Sequence, residues 1–346
     1  MARGFKIDSH KSKITFAKFT ASAGIYAGFA IYLYQPHFKN FGPLQYLVVV
    51  NVCLAAVGCF VLSRRWVPSF AGSFFAGAIY GFGPFGLWLS GFHPSVGLLA
   101  ASIPWLLCPA ALCSKRKWLW ISAPLSALPF LAIWLAFQIS FQYRLFPIPI
   151  HTKLHLAALA GLLAPLVALE RTTPLVGFYH VPIAALILGL SMLLKARRFG
   201  VIAIFAIGTT LAFCDPFFNI SPIIWLTIPV LCCSILIGAG IQGFALAGYA
   251  DRKWVLITTG IMAVLAIITL LLAIKYHNIF AGLGSKYARL LTQTAKMYIL
   301  GAITTAVIFF MARAKLRLTG LRLVILSLAI SVDVLFCSSF IAYRIL

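Results

Sequence analysis

Acidic residues are what this chain has least of, with five Asp and Glu in 346 positions against 28 Lys and Arg. Charged residues of both signs make up 10% of the sequence, while 62% of it is hydrophobic. A soluble domain of this length needs far more polar surface, so a water-soluble globular fold is excluded. The formal charge of +23 owes as much to missing carboxylates as to plentiful bases. Those bases stand in short clusters between apolar runs, such as Arg64-Arg65 and Lys115-Arg116-Lys117. Bases so placed meet anionic lipid headgroups and fix topology, and no nucleic-acid partner is expected. Spaced cysteine pairs are missing as well. None of the eight cysteines forms a CxxC, which argues against a disulfide framework or a zinc ribbon, and neither a metal nor a cofactor is expected. Small apolar packing is the expected role of these thiols.

What is present is a series of apolar runs. Residues 69–90 and 96–113 are each close to the roughly 20 residues a helix needs to cross a bilayer. The link between them is short and uncharged, whereas both outer flanks are basic. This pattern predicts a transmembrane hairpin with both feet in the cytoplasm. Similar runs at 19–34, 44–62, 118–139, 176–194, 201–214, 226–248, 254–273, 297–312 and 321–343 extend the pattern. The predicted fold class is an all-α integral membrane protein of about eleven transmembrane helices, N-terminus inside and C-terminus outside. Its segments are a basic cytoplasmic tail (1–18), a transmembrane core (19–250) and a C-terminal three-helix extension (251–346).

Segment 155–169 is apolar but short, and it contains Pro165. If it does not span, 19 basic residues fall on cytoplasmic segments and nine on external ones; if it spans, the split becomes 16 to 12. The positive-inside bias selects the non-spanning reading, with the segment lying on or dipping into the outer face. The stretch 275–296 is then an external loop, basic and partly amphipathic.

On this topology His37, His93, His151, His155, His180 and His277 lie toward the external face, with Glu170 and Asp215. Convergent carboxylates and imidazoles at one mouth of a bundle are the raw material of an acid/base site. Asp333 stands in the middle of the last span, where a charge costs about 2.5–3.5 kcal/mol on insertion scales and requires a partner. Gln242 or another polar group of the bundle is the expected partner, or Asp333 is protonated. Gly238-Ala-Gly-Ile-Gln-Gly matches the letters of a dinucleotide fingerprint but lies inside an apolar run rather than between a strand and an amphipathic helix. It reads as a packing face made by Ala239, Gly243 and Ala247.

Several features resemble bacterial GT-C-type membrane glycosyltransferases and their relatives. They are Leu62-Ser-Arg-Arg after the second run, the small-residue stretch ending Tyr80-Gly-Phe-Gly-Pro-Phe, and the His93-Pro94 turn. Gly177-Phe-Tyr, Lys195-Ala-Arg-Arg and the Gly-rich end of the 226–248 run extend the likeness over roughly residues 44–250. The resemblance implies a bacterial cytoplasmic-membrane protein and a polyprenyl-phosphate-sugar donor. It also implies a catalytic acid in a long first external loop. Here that loop is 35–42, and it holds no acid. Two functions follow: a scaffold or accessory subunit of a membrane complex that lacks the usual active site, or a transferase whose acid has moved. In the second, Asp215, Glu170 and His180 are the catalytic candidates, with Arg144, Lys153 and Arg171 holding the lipid phosphate. A transporter ranks third, since intramembrane ionisable residues are few.

Overall fold

The computed structural model describes residues 16–113, 119–143, 154, 156–169, 175–196, 199–279, 283–314 and 318–345. Among them the regular elements are helical, and strand-like pairing is confined to an isolated bridge between Phe217 and Ile220. Eight helical stretches among the described residues are long and apolar enough to cross a membrane. Two shorter apolar helices, His180–Leu193 and Gly200–Phe213, accompany them. The chain is a helical, multi-pass membrane protein.

Helix α1 (Phe16–Tyr34) leads through 3₁₀ turns at Gln35–Asn40 and Pro43–Gln45 into α2 (Tyr46–Ser63). The run 69–90, expected as one helix, is two: α3 (Phe70–Phe82) and α4 (Pro84–Phe92). Proline pushes the residue before it out of the helical region, and Gly83 is extended at φ −72°, ψ 163°. Pro84 then starts α4, where its missing N–H costs nothing. Helix α5 (Pro94–Leu112) follows. Run 118–139 is likewise divided, into α6 (Leu119–Ser126) and α7 (Leu128–Tyr143), with Pro124 and Pro129 flanking the break.

Segment 155–169 is a 3₁₀ turn (Leu156–Leu159) and two short helices, α8 (Ala160–Leu163) and α9 (Pro165–Leu169), none long enough to cross a bilayer. Its backbone lies tight against the stretch 175–179. A Cβ on Gly161 would sit 2.5 Å from the Val176 carbonyl oxygen, so glycine is what permits this approach. Helix α10 (His180–Ala196) begins only after Leu175–Tyr179, which is irregular and buried. Irregular backbone inside a membrane protein is tolerated where protein covers it. Helices α11 (Phe199–Phe213) and α12 (Thr227–Leu246) lead to the C-terminal three, α13 (Arg252–Ile279), α14 (Leu283–Arg313) and α15 (Thr319–Ile345).

The stretch 275–296 is not the loop anticipated from sequence. Helices α13 and α14 run through most of it as an antiparallel pair of 28 and 31 residues. At 1.5 Å per residue they are about 42 and 46 Å long, well beyond a hydrocarbon core of about 30 Å. The reason is periodicity: Ala288, Leu291, Ala295 and Tyr298 are buried at helical spacing, while Lys286, Arg289 and Lys296 stay exposed.

Helix α12 lies at the centre, with α3 on one side and α10 on the other. The glycines of the false fingerprint make both contacts, and of the expected Ala239–Gly243–Ala247 face Gly243 packs on α10. Gly238 meets Gly72 of α3 so closely that a Cβ on either would lie 2.5–2.6 Å from the other's carbonyl oxygen. Gly240 has Ala185 of α10 against it, and Gly243 has Met192. With no hydrophobic force between helices in lipid, such close backbone packing is what joins them.

Buried tyrosines supply the polar fastening. Tyr26 donates to the Phe74 carbonyl (2.6 Å), Tyr80 to Ala100 (2.8 Å), Tyr298 to Leu163 (2.8 Å) and Tyr179 to Phe82. Three of the four acceptors lie where regular helix bonding fails. Ala100 would have served the missing N–H of Pro104, Leu163 ends α8, and Phe82 ends α3. The two ends of the bundle are distinct. At one, Ser69 N–H donates to Gln242 Oε1 (3.2 Å) and Arg322 donates to the Ala247 carbonyl. At the other, the His37 and Tyr343 rings lie 6.0 Å apart and Ile345 covers Gly91.

Candidate functional site

Helix α10 starts inside the protein, so its first amide donors have no water to meet. Pro182 at its third position removes one donor, and Ile183 N–H returns to the Tyr179 carbonyl at 3.3 Å. Val181 N–H remains. Asp333 of α15 takes it through Oδ2 at 2.6 Å, acting as an N-cap supplied by another helix. A carboxylate there also meets the positive end of the α10 dipole.

The other carboxylate oxygen has two further partners. His180 Nδ1 lies 3.1 Å from Asp333 Oδ1. Cys337, one turn farther along α15, donates its Sγ–H to the same oxygen at 3.3 Å and lies 3.8 Å from His180 Nδ1. Residues four apart share a helix face, which places both α15 groups on the imidazole. The Tyr298 ring closes the far side, 4.9 Å from the His180 ring and nearly perpendicular to it. His180, Asp333 and Cys337 are all fully buried. With Asp333 as a carboxylate the imidazole would carry its proton on Nδ1; Nε2 has no hydrogen-bond partner among the described residues. The cluster can hold a proton or a cation between nitrogen, oxygen and sulfur donors.

The residues singled out from sequence fall in different places. Asp333 is partnered by His180 rather than by Gln242, which instead serves the start of α3. His180 is enclosed in the bundle. Asp215 is exposed, just past the end of α11, in a loop where Phe218 and Asn219 adopt positive φ (52° and 58°). Gln138 of α7 donates to the Phe218 carbonyl at 2.7 Å and ties this loop down. Glu170, Arg144, Lys153 and Arg171 lie outside the described residues. His93, half-buried between α4 and α5, has its imidazole pushed below the ordinary value by desolvation. Cys337 does more than the apolar packing expected of it; its spacing of four from the intramembrane acid is the signal that the sequence holds.

The cavity bounded by Val52, Tyr80, Ser90, Gly97 and Thr227 has a volume of about 20 Å³, room for a water molecule rather than a sugar. No family model, curated protein or solved structure matches the chain.

Proposed function

We propose that this protein is a scaffold or accessory subunit of a membrane complex, built on a GT-C-like bundle without the usual glycosyltransferase site. The carrying observation is the use made of its carboxylates. Three of the five acids lie among the described residues. Asp333 caps α10, and Asp251 accepts the Gly248 N–H at 3.2 Å in the turn before α13. Each accepts a backbone N–H, and the second oxygen of Asp333 is taken by His180 and Cys337. Asp215 stands on an exposed loop. The short connection between α1 and α2 brings His37 and Lys39 but no acid to the place where the resemblance would put one.

The reading includes eleven crossings in a bacterial cytoplasmic membrane, with the N-terminus inside and the C-terminus outside. This count takes α1, α10 and α11 as crossings beside the eight long spans. The partners it implies are membrane proteins and lipids, polyprenyl phosphates among them. Helix α10, starting inside the bundle on a buried ionisable pair, gives the transporter reading its one supporting feature, since transporters place half-helix N-termini at anionic groups.

Native purification with mass spectrometry of retained proteins and lipids tests the proposal. Stoichiometric recovery of a larger membrane complex, without turnover of labelled polyprenyl-phosphate sugars, supports the scaffold. Turnover that disappears when Asp215 or Glu170 is neutralised would replace it with the relocated-acid enzyme.

A further inference from the structure

We propose that His180, Asp333 and Cys337 form a binding site for a zinc-class divalent cation inside the helix bundle. One nitrogen, one oxygen and one sulfur donor, each from a fully buried residue, lie within 4.8 Å of one another. Their separations are 3.1, 3.3 and 3.8 Å. Around a tetrahedral zinc with bonds of about 2.0–2.3 Å, neighbouring ligand atoms stand roughly 3.3–3.6 Å apart. Shifts of a few tenths of an ångström therefore convert the hydrogen-bonded cluster into a coordination shell.

The surroundings are those a metal ligand set needs. Val181 N–H holds Asp333 Oδ2, which leaves Oδ1 to bind through one oxygen. The Tyr298 ring, anchored by its hydroxyl on the Leu163 carbonyl, packs against the imidazole. Such outer contacts orient ligands and tune affinity. Donor chemistry selects the ion: a thiolate and an imidazole favour zinc or cobalt and disfavour magnesium or calcium. Three protein donors are the number found where one coordination position stays open.

Charge selects the same class. A divalent cation with one carboxylate, one thiolate and a neutral imidazole sums to zero, the state that a low-dielectric interior favours. On binding, the Cys337 thiol releases its proton to solvent and the imidazole proton moves from Nδ1 to Nε2. No electrons are exchanged. The site does not depend on whether the protein is a scaffold, an enzyme or a transporter.

The test uses the full chain in detergent, stripped with chelator and titrated with Co²⁺. A thiolate-to-cobalt charge-transfer band with tetrahedral d–d absorption should saturate at one ion per chain, and Zn²⁺ should displace it. Cys337→Ser, which keeps a hydrogen-bonding group on Asp333, should abolish the charge-transfer band and weaken Co²⁺ binding at least about tenfold. Cys233→Ser, a buried thiol elsewhere, should change nothing. If Cys337→Ser does not fold, X-ray absorption of the wild type with Zn²⁺ gives the answer without a mutation, as one sulfur and a nitrogen/oxygen shell. Folded wild type without a thiolate band, a band that survives Cys337→Ser, or a zinc shell without sulfur overturns the site.

Discussion

Asp333 accepts the Val181 amide across the helix boundary at 2.6 Å while its other oxygen faces His180 at 3.1 Å. Two requirements are met by one side chain, and substitutions should separate them. Asp333→Asn keeps an acceptor for Val181, and the imidazole can change tautomer to receive the new amide. It should cost about 1–3 kcal/mol. Asp333→Ala leaves both the amide and the imidazole buried and unpaired, and should cost about 3–5 kcal/mol. Thermal melts in detergent measure both. Equal losses would show that the contact is not what holds α10.

Tyr80 and Pro104 make a second test. The Tyr80 hydroxyl, 2.8 Å from the Ala100 carbonyl, occupies the acceptor that Pro104 cannot use. Tyr80→Phe should destabilise by about 1–3 kcal/mol, because the carbonyl is buried. In that background Pro104→Ala should recover stability, since residue 104 then has an N–H for the Ala100 oxygen. A double-mutant cycle reads the coupling directly. Strict additivity would sink this account.

Two glycines should respond in opposite ways. Gly240 has the Ala185 backbone against it, whereas a methyl group added at Gly260, exposed on α13, would meet nothing within 4 Å. Gly240→Val should force α10 and α12 apart and prevent recovery of folded protein. Gly260→Ala should be neutral or stabilise by about 0.5–1 kcal/mol through helix propensity. Yields and melting temperatures of the purified variants decide.

Topology is open to reporter fusions. With segment 155–169 on the outer face, a reporter after Arg171 should be external and one after Arg198 cytoplasmic. A cytoplasmic signal after Arg171 would restore a twelve-crossing arrangement and place the C-terminus inside.

The membrane class was legible because it depends on composition and run length alone, and 69–90 or 226–248 carry both. The brevity of 155–169 and its Pro165 set it apart from the other runs, and the structure divides it into a 3₁₀ turn and two short helices. Partner choice was not. His180 and Asp333 are 153 positions apart, and the runs that contain them are so uniformly apolar that no stripe indicates which faces meet. Gly83 misled for a different reason. Glycine is common in membrane helices, so the break required giving more weight to Pro84 than to the apolar run around it. The helical character of 275–296 was hidden by its polarity, since its apolar stripe at 288, 291, 295 and 298 is narrow.

The α10 cap also imposes an order on biogenesis. Asp333 is synthesised 152 residues after the amide it receives. At about 5–20 residues per second, ribosomes leave that amide waiting roughly 8–30 s. Throughout the interval the stretch 175–179 and the first turn of α10 sit among inserted helices with their closing partner absent. A helix that leaves the translocon late thus completes an element laid down near the middle of the chain. Chains halted after Ala314 should be cleared by membrane proteases faster than chains that include α15, and co-expressing residues 315–346 as a separate polypeptide should prolong their lifetime. Pulse-chase labelling measures both. Equal lifetimes would mean that the wait carries no hazard.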